Sequence, residues 1–368
     1  EPTWPTQLLA LIPGPAIITL EPTGWHYSRP IITYLQTHEP DIEIFYVNHT
    51  ASSANRNARI SNQKTDMNDA RALALKAKDL ITGVTHGLRR AQLDRETLTI
   101  ELRLYLRDHQ RASKEKTQTN NRLKGFAHGI WPALDFHSPT YLRALEAGYY
   151  TPSELRALAA QVQTEPQSIP AYHHHASRKA LIQLVEQLPP DLPDPPAPIV
   201  NAIQRAVAKY QRAAAELAAL DTQVEALIHQ PALEPVTAVW LTIPATSPYS
   251  IATLHAATNC LADQLSPDEF RAAVGCHPTR QESGQLAESH ETKRGFKPAK
   301  AQLHLWTLRL LNPATPNNPV RAYFKRLKEN NNPHAIHAAR GKLTRLLSGL
   351  ARTHTPYDPT KNLPASDD

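Results

Sequence analysis

Cysteine and long apolar runs are scarce in this sequence, and each shortage excludes a class of protein. The chain has only two cysteines, Cys260 and Cys276, and they form no CxxC pair. This excludes a disulfide scaffold and a cysteine-based zinc site, and it suggests a reducing compartment, so we expect a cytoplasmic protein. No stretch reaches the roughly 18 apolar residues of a membrane helix, and none resembles a signal peptide. We therefore predict no membrane partner.

Acidic residues are slightly fewer than basic ones, and glycine is rare. The 368 residues contain 34 Asp and Glu against 40 Lys and Arg, which gives a net charge of +6. This balance favours a nucleic-acid partner, although the excess is small for the length. With 12 glycines and 32 prolines, turns depend on Pro, Asn and Asp. The length suggests two or three domains, and the hydrophobic fraction of 41% is enough for ordinary cores.

Two acids three residues apart, Asp66 and Asp69, open a predicted helix. The apolar residues that follow at helical spacing are Ala70, Leu73, Ala74, Ala77 and Leu80. This spacing puts both carboxylates on one side of the first turn. One interpretation is a capping arrangement, in which one acid caps the helix and the other complements its dipole. The other is a divalent-metal site, because hard cations bind clustered carboxylates.

A third acid, Glu21, follows a predicted buried strand at residues 15–20. A helix over Tyr27–Thr37 and a strand over Glu43–Asn48 complete a predicted βαβ unit with a parallel sheet. The polar stretch Thr50–Lys64 is predicted to be a loop. Because open α/β sheets place their chemistry at the carboxyl ends of strands, we expect Glu21 and the two aspartates to converge.

Near the C-terminus, Ser283-Gly284 lies in a predicted polar loop, followed by a basic run. A turn serine is the simplest interpretation. A nucleophilic serine needs a base, a metal or a cation to activate it, and no His/Asp pair has a diagnostic spacing. The cations of the run, which could hold phosphates or form a solvated loop, are Lys293, Arg294, Lys297 and Lys300.

Several short motifs occur together in an order that resembles the DEDD-type transposases of the IS one-ten insertion-sequence family. They are Glu-Pro-Thr-Gly at 21–24, Lys-Thr-Asp-x-x-Asp-Ala-Arg at 64–71, Asn-Arg-Leu at 121–123, Ile-Pro at 243–244 and Ser-Gly at 283–284. The resemblance covers residues 10–125 and 199–360. Each motif alone is weak evidence for this resemblance, whereas the occurrence of all five in this order is specific.

The resemblance implies an RNase H-like, RuvC-like domain whose acids bind Mg²⁺, and a serine that attacks DNA under the guidance of a bridge RNA. On this basis Glu21, Asp66 and Asp69 would hold the metal and assist catalysis, and Ser283 would be the nucleophile of a composite site. DNA and RNA would be contacted by Lys64, Arg71, Arg122, Lys293, Arg294, Lys297 and Lys300.

The sequence also departs from the family pattern. Ala245 and Ser247 replace two glycines that would let backbone amides approach a phosphate, and Lys300 stands near a family arginine. The family's first acid is an aspartate on an opening strand, and residues 1–20 contain none. We therefore expect the first strands to be missing and this chain to be weak or inactive.

The overall prediction is α/β plus all-α, in three domains and a tail. Residues 1–90 would form the RNase H-like domain, 91–232 a helical region with a proline-rich linker near 189–198, 233–352 the C-terminal transposase domain, and 353–368 a tail. Apolar spacing along Ile199–His229 predicts a coiled coil with the helix at 92–124, within one chain or across a dimer or tetramer.

Two other functions fit the same residues. One is a metal-dependent RNase H-like nuclease, in which water attacks the phosphate and Ser283 is inert. The other is an inactive nucleic-acid-binding remnant, which the absent first acid and the replaced glycines would explain.

Overall fold

The computed structural model describes residues 7, 10–12, 14–21, 25–38, 41–47, 49–60, 63, 65–84, 87–132, 139–283, 286–291, 295–315 and 318–359. The chain divides within a long helix, between Leu98 and Thr99, into two compact units. Unit 1 contains β1 (Ile17–Leu20), α1 (Trp25–His38), β2 (Glu43–Val47), α2 (His49–Arg59), α3 (Asp66–Ile81) and β3 (Leu88–Arg90), and α4 (Leu93–Ile130) begins in it.

Unit 2 is almost entirely helical. After the main part of α4 it contains α5 (Pro139–Glu146), α6 (Pro152–Thr164), a 3₁₀ turn (Pro170–Tyr172), α7 (His175–Glu186), α8 (Ala197–Ile228), α9 (Glu234–Leu241), α10 (Pro248–Ala257), α11 (Pro267–Ala273), β4 (Pro278–Ser283), β5 (Leu286–Glu291), α12 (Lys297–Leu311), α13 (Pro319–Glu329) and α14 (Ala335–Thr353). Among the helices of the described ranges, none is both long and apolar enough to span a membrane.

The sheet of unit 1 confirms the predicted βαβ unit and adds a strand. β1 pairs in parallel with β2, with Ile17 opposite Glu43, and α1 is the crossover. The inward residues Ile32 and Leu35 of α1 are fully buried with Ile44 of β2. On the other side of β2 lies β3, which is antiparallel and was not predicted because three residues carry no readable alternation.

Helix α2 corrects the prediction of a loop over Thr50–Lys64. Ser52 and Asn55 are its buried residues, and the Asn55 side-chain amide donates to the carbonyl of Ala72 at 2.8 Å. Arg59 forms an ion pair with Asp79 of α3. The helix is held by polar contacts to α3 rather than by an apolar stripe, so hydrophobic periodicity does not reveal it.

The sequence leaves residues 126–198 unassigned. Those that the structure describes, 126–132 and 139–198, form a helical core around Tyr172. This ring is fully buried, and its hydroxyl donates to the carbonyl of Thr140 at 2.9 Å. The proline-rich segment packs on this core, because Asp194 accepts from the Ser153 amide at 2.9 Å and from its hydroxyl. The predicted linker is therefore docked on the N-terminus of α6.

Helices α4 and α8 lie antiparallel within one chain. His109 contacts Asp221 at 3.1 Å, and further along α4 Glu115 pairs with Lys209 at 3.2 Å. Arg111 meets Glu216 between them. The prediction that these two helices pack together is confirmed; a coiled-coil seam and a dimer remain predictions.

The C-terminal helices enclose two buried tryptophans. The Trp240 indole donates to the carbonyl of Leu347 at 3.0 Å, and the Trp306 indole donates to that of Pro244 at 3.0 Å. Arg103 of α4 reaches this core and donates to the carbonyl of Ala256 at 3.0 Å. Partial burial lowers the pKa of the Arg103 guanidinium. The side chain stays partly exposed, and its hydrogen bonds fasten α4 to this core.

Candidate active site

The predicted metal ligands lie at the end of β1 and at the start of α3. Glu21 directly follows β1 and is half-buried. The Thr19 hydroxyl of β1 donates to the carbonyl of Leu73 in α3 at 2.8 Å. This bond fastens α3 to the strand two residues before Glu21 and one turn after Asp69.

The first turn of α3 is capped by a threonine. Thr65 is the N-cap, with φ −134° and ψ 153°, and its hydroxyl accepts from the Asn68 amide at 3.2 Å. The interpretation in which one aspartate caps the helix is therefore wrong, because Thr65 performs this role. Asp66 and Asp69 remain in the first turn, where their charges complement the helix dipole.

The carboxylate of Asp69 is held by Arg56 of α2 in a hydrogen-bonded ion pair. Both side chains are mostly buried, with 11% of Arg56 and 20% of Asp69 exposed. Asp66 is exposed. A metal at Asp69 would therefore compete with a guanidinium that already satisfies it.

Carboxylates are the ligands that Mg²⁺ prefers, so the donor atoms suit the predicted ion. In the described part of the chain, however, no three His, Cys, Asp or Glu side chains form a group that could hold a metal. The Mg²⁺ site of Glu21, Asp66 and Asp69 stays a prediction.

Ser283 lies at the tip of a β-hairpin, which corrects the predicted loop. β4 and β5 are antiparallel, and the last pair of their register is Ser283 with Leu286. Ser283 is the last residue of β4. The backbone thus presents this position at the end of a two-stranded ribbon, and the Ser283 side chain lies outside the described part of the structure.

The base of this hairpin is closed by two glycines. A Cβ added at Gly295 would lie 2.6 Å from the Gly275 amide nitrogen and 2.6 Å from the carbonyl oxygen of Ala272. Both glycines have positive φ, +74° at Gly275 and +94° at Gly295. The Phe296 amide then donates to the carbonyl of Ala273 at 2.9 Å. The close approach therefore requires glycine at position 295, and the positive φ of Gly275 favours glycine there as well.

Lys297 and Lys300 occupy the first turn of α12. This end of a helix carries partial positive charge, so cations here are unfavourable unless an anion lies nearby. Lys297 is exposed and Lys300 is half-buried. The predicted cations Lys64, Lys293 and Arg294 lie outside the described residues.

Arg71 on α3 and Arg122 on α4 are both exposed. The guanidinium of Arg122 lies 5.5 Å from the centroid of the Phe126 ring, one turn further along the helix. Leu123 of the same motif is buried, so the Asn-Arg-Leu motif combines a core residue with an outward cation. Both arginines are accessible to a phosphate; contact with one remains a prediction.

The residue that follows the Ile-Pro motif adopts the left-handed backbone conformation that glycine favours, although it is an alanine. Ala245 has φ +58°, in the left-handed region, at the first position where the family has glycine. Ser247, at the second, caps α10 and accepts from the Ser250 amide at 3.2 Å. The turn therefore survives the replacement, and Ser247 has a structural role.

Two features of the site are not predicted from the sequence. Arg56 lies in the stretch that is predicted to be a loop, although it binds Asp69; a basic residue near a predicted acid pair is the signal that could have revealed it. The facing glycines, Gly275 and Gly295, carry a clearer signal, because a chain with so few glycines keeps one on each side of the hairpin.

Residues 6–132 match the family DEDD_Tnp_IS110, which is described as "Transposase". The match includes the sheet of unit 1, the helix that begins with Asp66, and α4. It ends well before Ser283. No curated protein matches the chain.

Proposed function

Because residues 6–132 match the DEDD transposase family of the IS110 type, we propose that this chain is an insertion-sequence transposase that cleaves and rejoins DNA through a serine nucleophile. The family match carries the proposal, and it confirms the resemblance on which the motif order was interpreted. The serine lies outside the match and is assigned by the Ser-Gly motif and by the hairpin on which it lies.

The proposed reaction is a transesterification at phosphorus. The Ser283 Oγ forms a bond to phosphorus while one P–O bond of the DNA backbone breaks, and the hydroxyl proton passes to the departing oxygen. Rejoining is the reverse reaction with another DNA hydroxyl. No external oxidant or energy source is needed, because one phosphodiester replaces another. The position of Ser283 at a ribbon tip supports this role, since a tip can enter a DNA groove.

Negative charge builds up on the phosphoryl oxygens during this reaction and must be neutralised. Lys297 and Lys300, at the positive end of α12, suit this task, with Lys293 and Arg294 preceding them. Mg²⁺, when bound by Glu21, Asp66 and Asp69, would supply further charge neutralisation and help to ionise the attacking hydroxyl. The hydrogen bond from Thr19 to the Leu73 carbonyl already holds α3 against the strand that precedes Glu21. Asp69, by contrast, would have to break its ion pair with Arg56 to bind the metal.

The remaining cations fit a nucleic acid that extends beyond the cleaved bond. We assign Lys64, Arg71 and Arg122 to phosphate contacts with DNA or a guide RNA, because the two described side chains are exposed. Assembly into a dimer or tetramer would follow from the α4 and α8 helices.

A covalent-adduct assay tests the nucleophile. The chain is incubated with end-labelled DNA of the element and Mg²⁺, then denatured, and a labelled band at protein mass reports a phosphoserine bond. Ser283→Ala should abolish the band and leave DNA binding intact. Ser289→Ala is the matched control, because Ser289 lies in β5 of the same hairpin, paired with Arg280.

The two alternative functions, a nuclease and an inactive remnant, predict different results in these cleavage and adduct assays. Cleavage that survives in Ser283→Ala but is lost in Asp66→Asn would establish the nuclease instead. DNA binding without cleavage or adduct in the wild type would indicate the inactive remnant. Loss of the adduct in Ser289→Ala as well would show that the hairpin was damaged by any substitution.

A further inference from the structure

Positive charge is concentrated in residues 292–357. This segment holds 13 of the chain's 40 Lys and Arg residues but only one of its 34 acids, Glu329. Its formal charge is +12, whereas that of the whole chain is +6, so the rest of the chain is net acidic. Charge this strongly segregated indicates an anionic partner.

One aromatic ring in this segment holds two cations. On α13, the Arg326 guanidinium lies 5.4 Å from the centroid of the Tyr323 ring. The ammonium of Lys342, on α14, lies 5.9 Å from the same centroid. Arg345 follows Lys342 by one helical turn, so it lies on the same side of α14. Cations fixed by a ring lose less conformational freedom when they bind a ligand.

In the described part of the chain, these three cations have no acidic ion-pair partner, whereas several cations of α4 and α8 do. Among the ion pairs of the described residues, none involves Arg326, Lys342 or Arg345. By contrast, Arg111 and Lys209 pair with glutamates. Burial lowers the pKa of Lys342, and repulsion from the two arginines lowers it further. A bound anion would relieve this repulsion.

We propose that the α13–α14 surface, defined by Tyr323, Arg326, Lys342 and Arg345, binds the phosphate backbone of a nucleic acid. A polymer with regularly spaced phosphates suits this surface, because cations on two helices can each contact a separate phosphate. Arg326 and Arg345 are exposed, so a strand can reach them. The inference rests on the proposed function only for the presence of a nucleic-acid substrate or guide.

The test uses the full chain and a charge-matched control. In the surface variant, Arg326→Gln, Lys342→Gln and Arg345→Gln are combined, since glutamine preserves helix propensity. The control combines Arg107→Gln, Arg111→Gln and Lys209→Gln, which remove the same charge from cations that already contact acids. Circular dichroism checks that both variants fold. Fluorescence anisotropy then measures affinity for duplex DNA and for an RNA hairpin of equal length over a salt series.

The surface variant should bind at least about tenfold more weakly at moderate salt. Its slope of log affinity against log salt should become shallower by about one for each cation removed, and the control should keep the wild-type slope. Loss confined to the DNA or to the RNA would identify which polymer supplies the phosphates. Tyr323→Leu keeps all three charges and should give a smaller loss, whereas Tyr323→Phe should bind as the wild type does.

A folded surface variant with the wild-type slope for both polymers would overturn this inference. The Ser283 adduct would then still support the proposed function. A wild-type chain that binds neither polymer in a salt-dependent manner would overturn both. A slope that changes equally in surface variant and control would also overturn the inference, because it would report net charge alone.

Discussion

The sharpest prediction concerns Gly295, at the base of the hairpin that carries Ser283. Gly295→Ala adds one methyl group at a position with φ +94°. That methyl carbon would lie 2.6 Å from the Ala272 carbonyl oxygen, 2.6 Å from the Gly275 nitrogen and 2.7 Å from the Gly275 Cα. All three are backbone atoms, one in the last turn of α11 and two in the turn that follows it, so no side chain can rotate away to make space.

Two costs add in this variant. An L-residue with left-handed backbone costs about 1–2 kcal/mol. Overpacking against backbone typically costs about 1–3 kcal/mol. The reduced entropy of the unfolded chain offsets about 0.4–1 kcal/mol of this, so a net loss of about 1–5 kcal/mol is expected. For a unit of this size the melting midpoint should fall by roughly 2–20 °C.

Thermal unfolding followed by tryptophan fluorescence measures this change, since Trp240 and Trp306 are both buried in the affected domain. Gly349→Ala is the matched control: Gly349 lies in α14, and a Cβ there meets nothing within 4 Å. In that helix the alanine should stabilise by about 0.5–1 kcal/mol. Hydrogen exchange should show faster exchange in β4 and β5 only in Gly295→Ala. A Gly295→Ala chain as stable as Gly349→Ala would refute the glycine-contact reasoning.

Three further predictions follow from described contacts. Ala245→Gly should stabilise the chain by up to about 1 kcal/mol in thermal unfolding, because it relieves the left-handed alanine; destabilisation would contradict this. Tyr172→Phe should cost about 0.5–1.5 kcal/mol, since it removes the buried hydroxyl that donates to the Thr140 carbonyl, and an unchanged midpoint would contradict this. The hydrogen bond from Arg59 holds the pKa of Asp79 below its usual 3.8, so this pair should stabilise unit 1 above that pH and lose its effect as pH falls below it. At pH 7, amide hydrogen exchange in α2 and α3 should be faster in Asp79→Asn than in the wild type. In acid, the two proteins should exchange at the same rate. Equal exchange rates in the two proteins at pH 7 as well would show that this ion pair does not stabilise unit 1.

The sequence by itself determined the strands and helices whose apolar residues recur at regular spacing. β1, α1, β2 and α3 lie where their patterns predicted, because burial of one face requires that spacing. The packing of α4 on α8 follows from the same cause. The resemblance to the IS110-type transposases was likewise readable, since the motif order is a property of the chain alone, and residues 6–132 match that family.

The tertiary structure alone decided the features that depend on polar or backbone contacts between distant residues. Helix α2 forms because Asn55 and Arg56 find partners on α3, and Thr65 rather than an aspartate caps that helix. The hairpin around Ser283 depends on Gly295 meeting Gly275, twenty residues earlier. Such contacts join single atoms at precise distances, and a one-dimensional pattern of apolar residues carries no record of them.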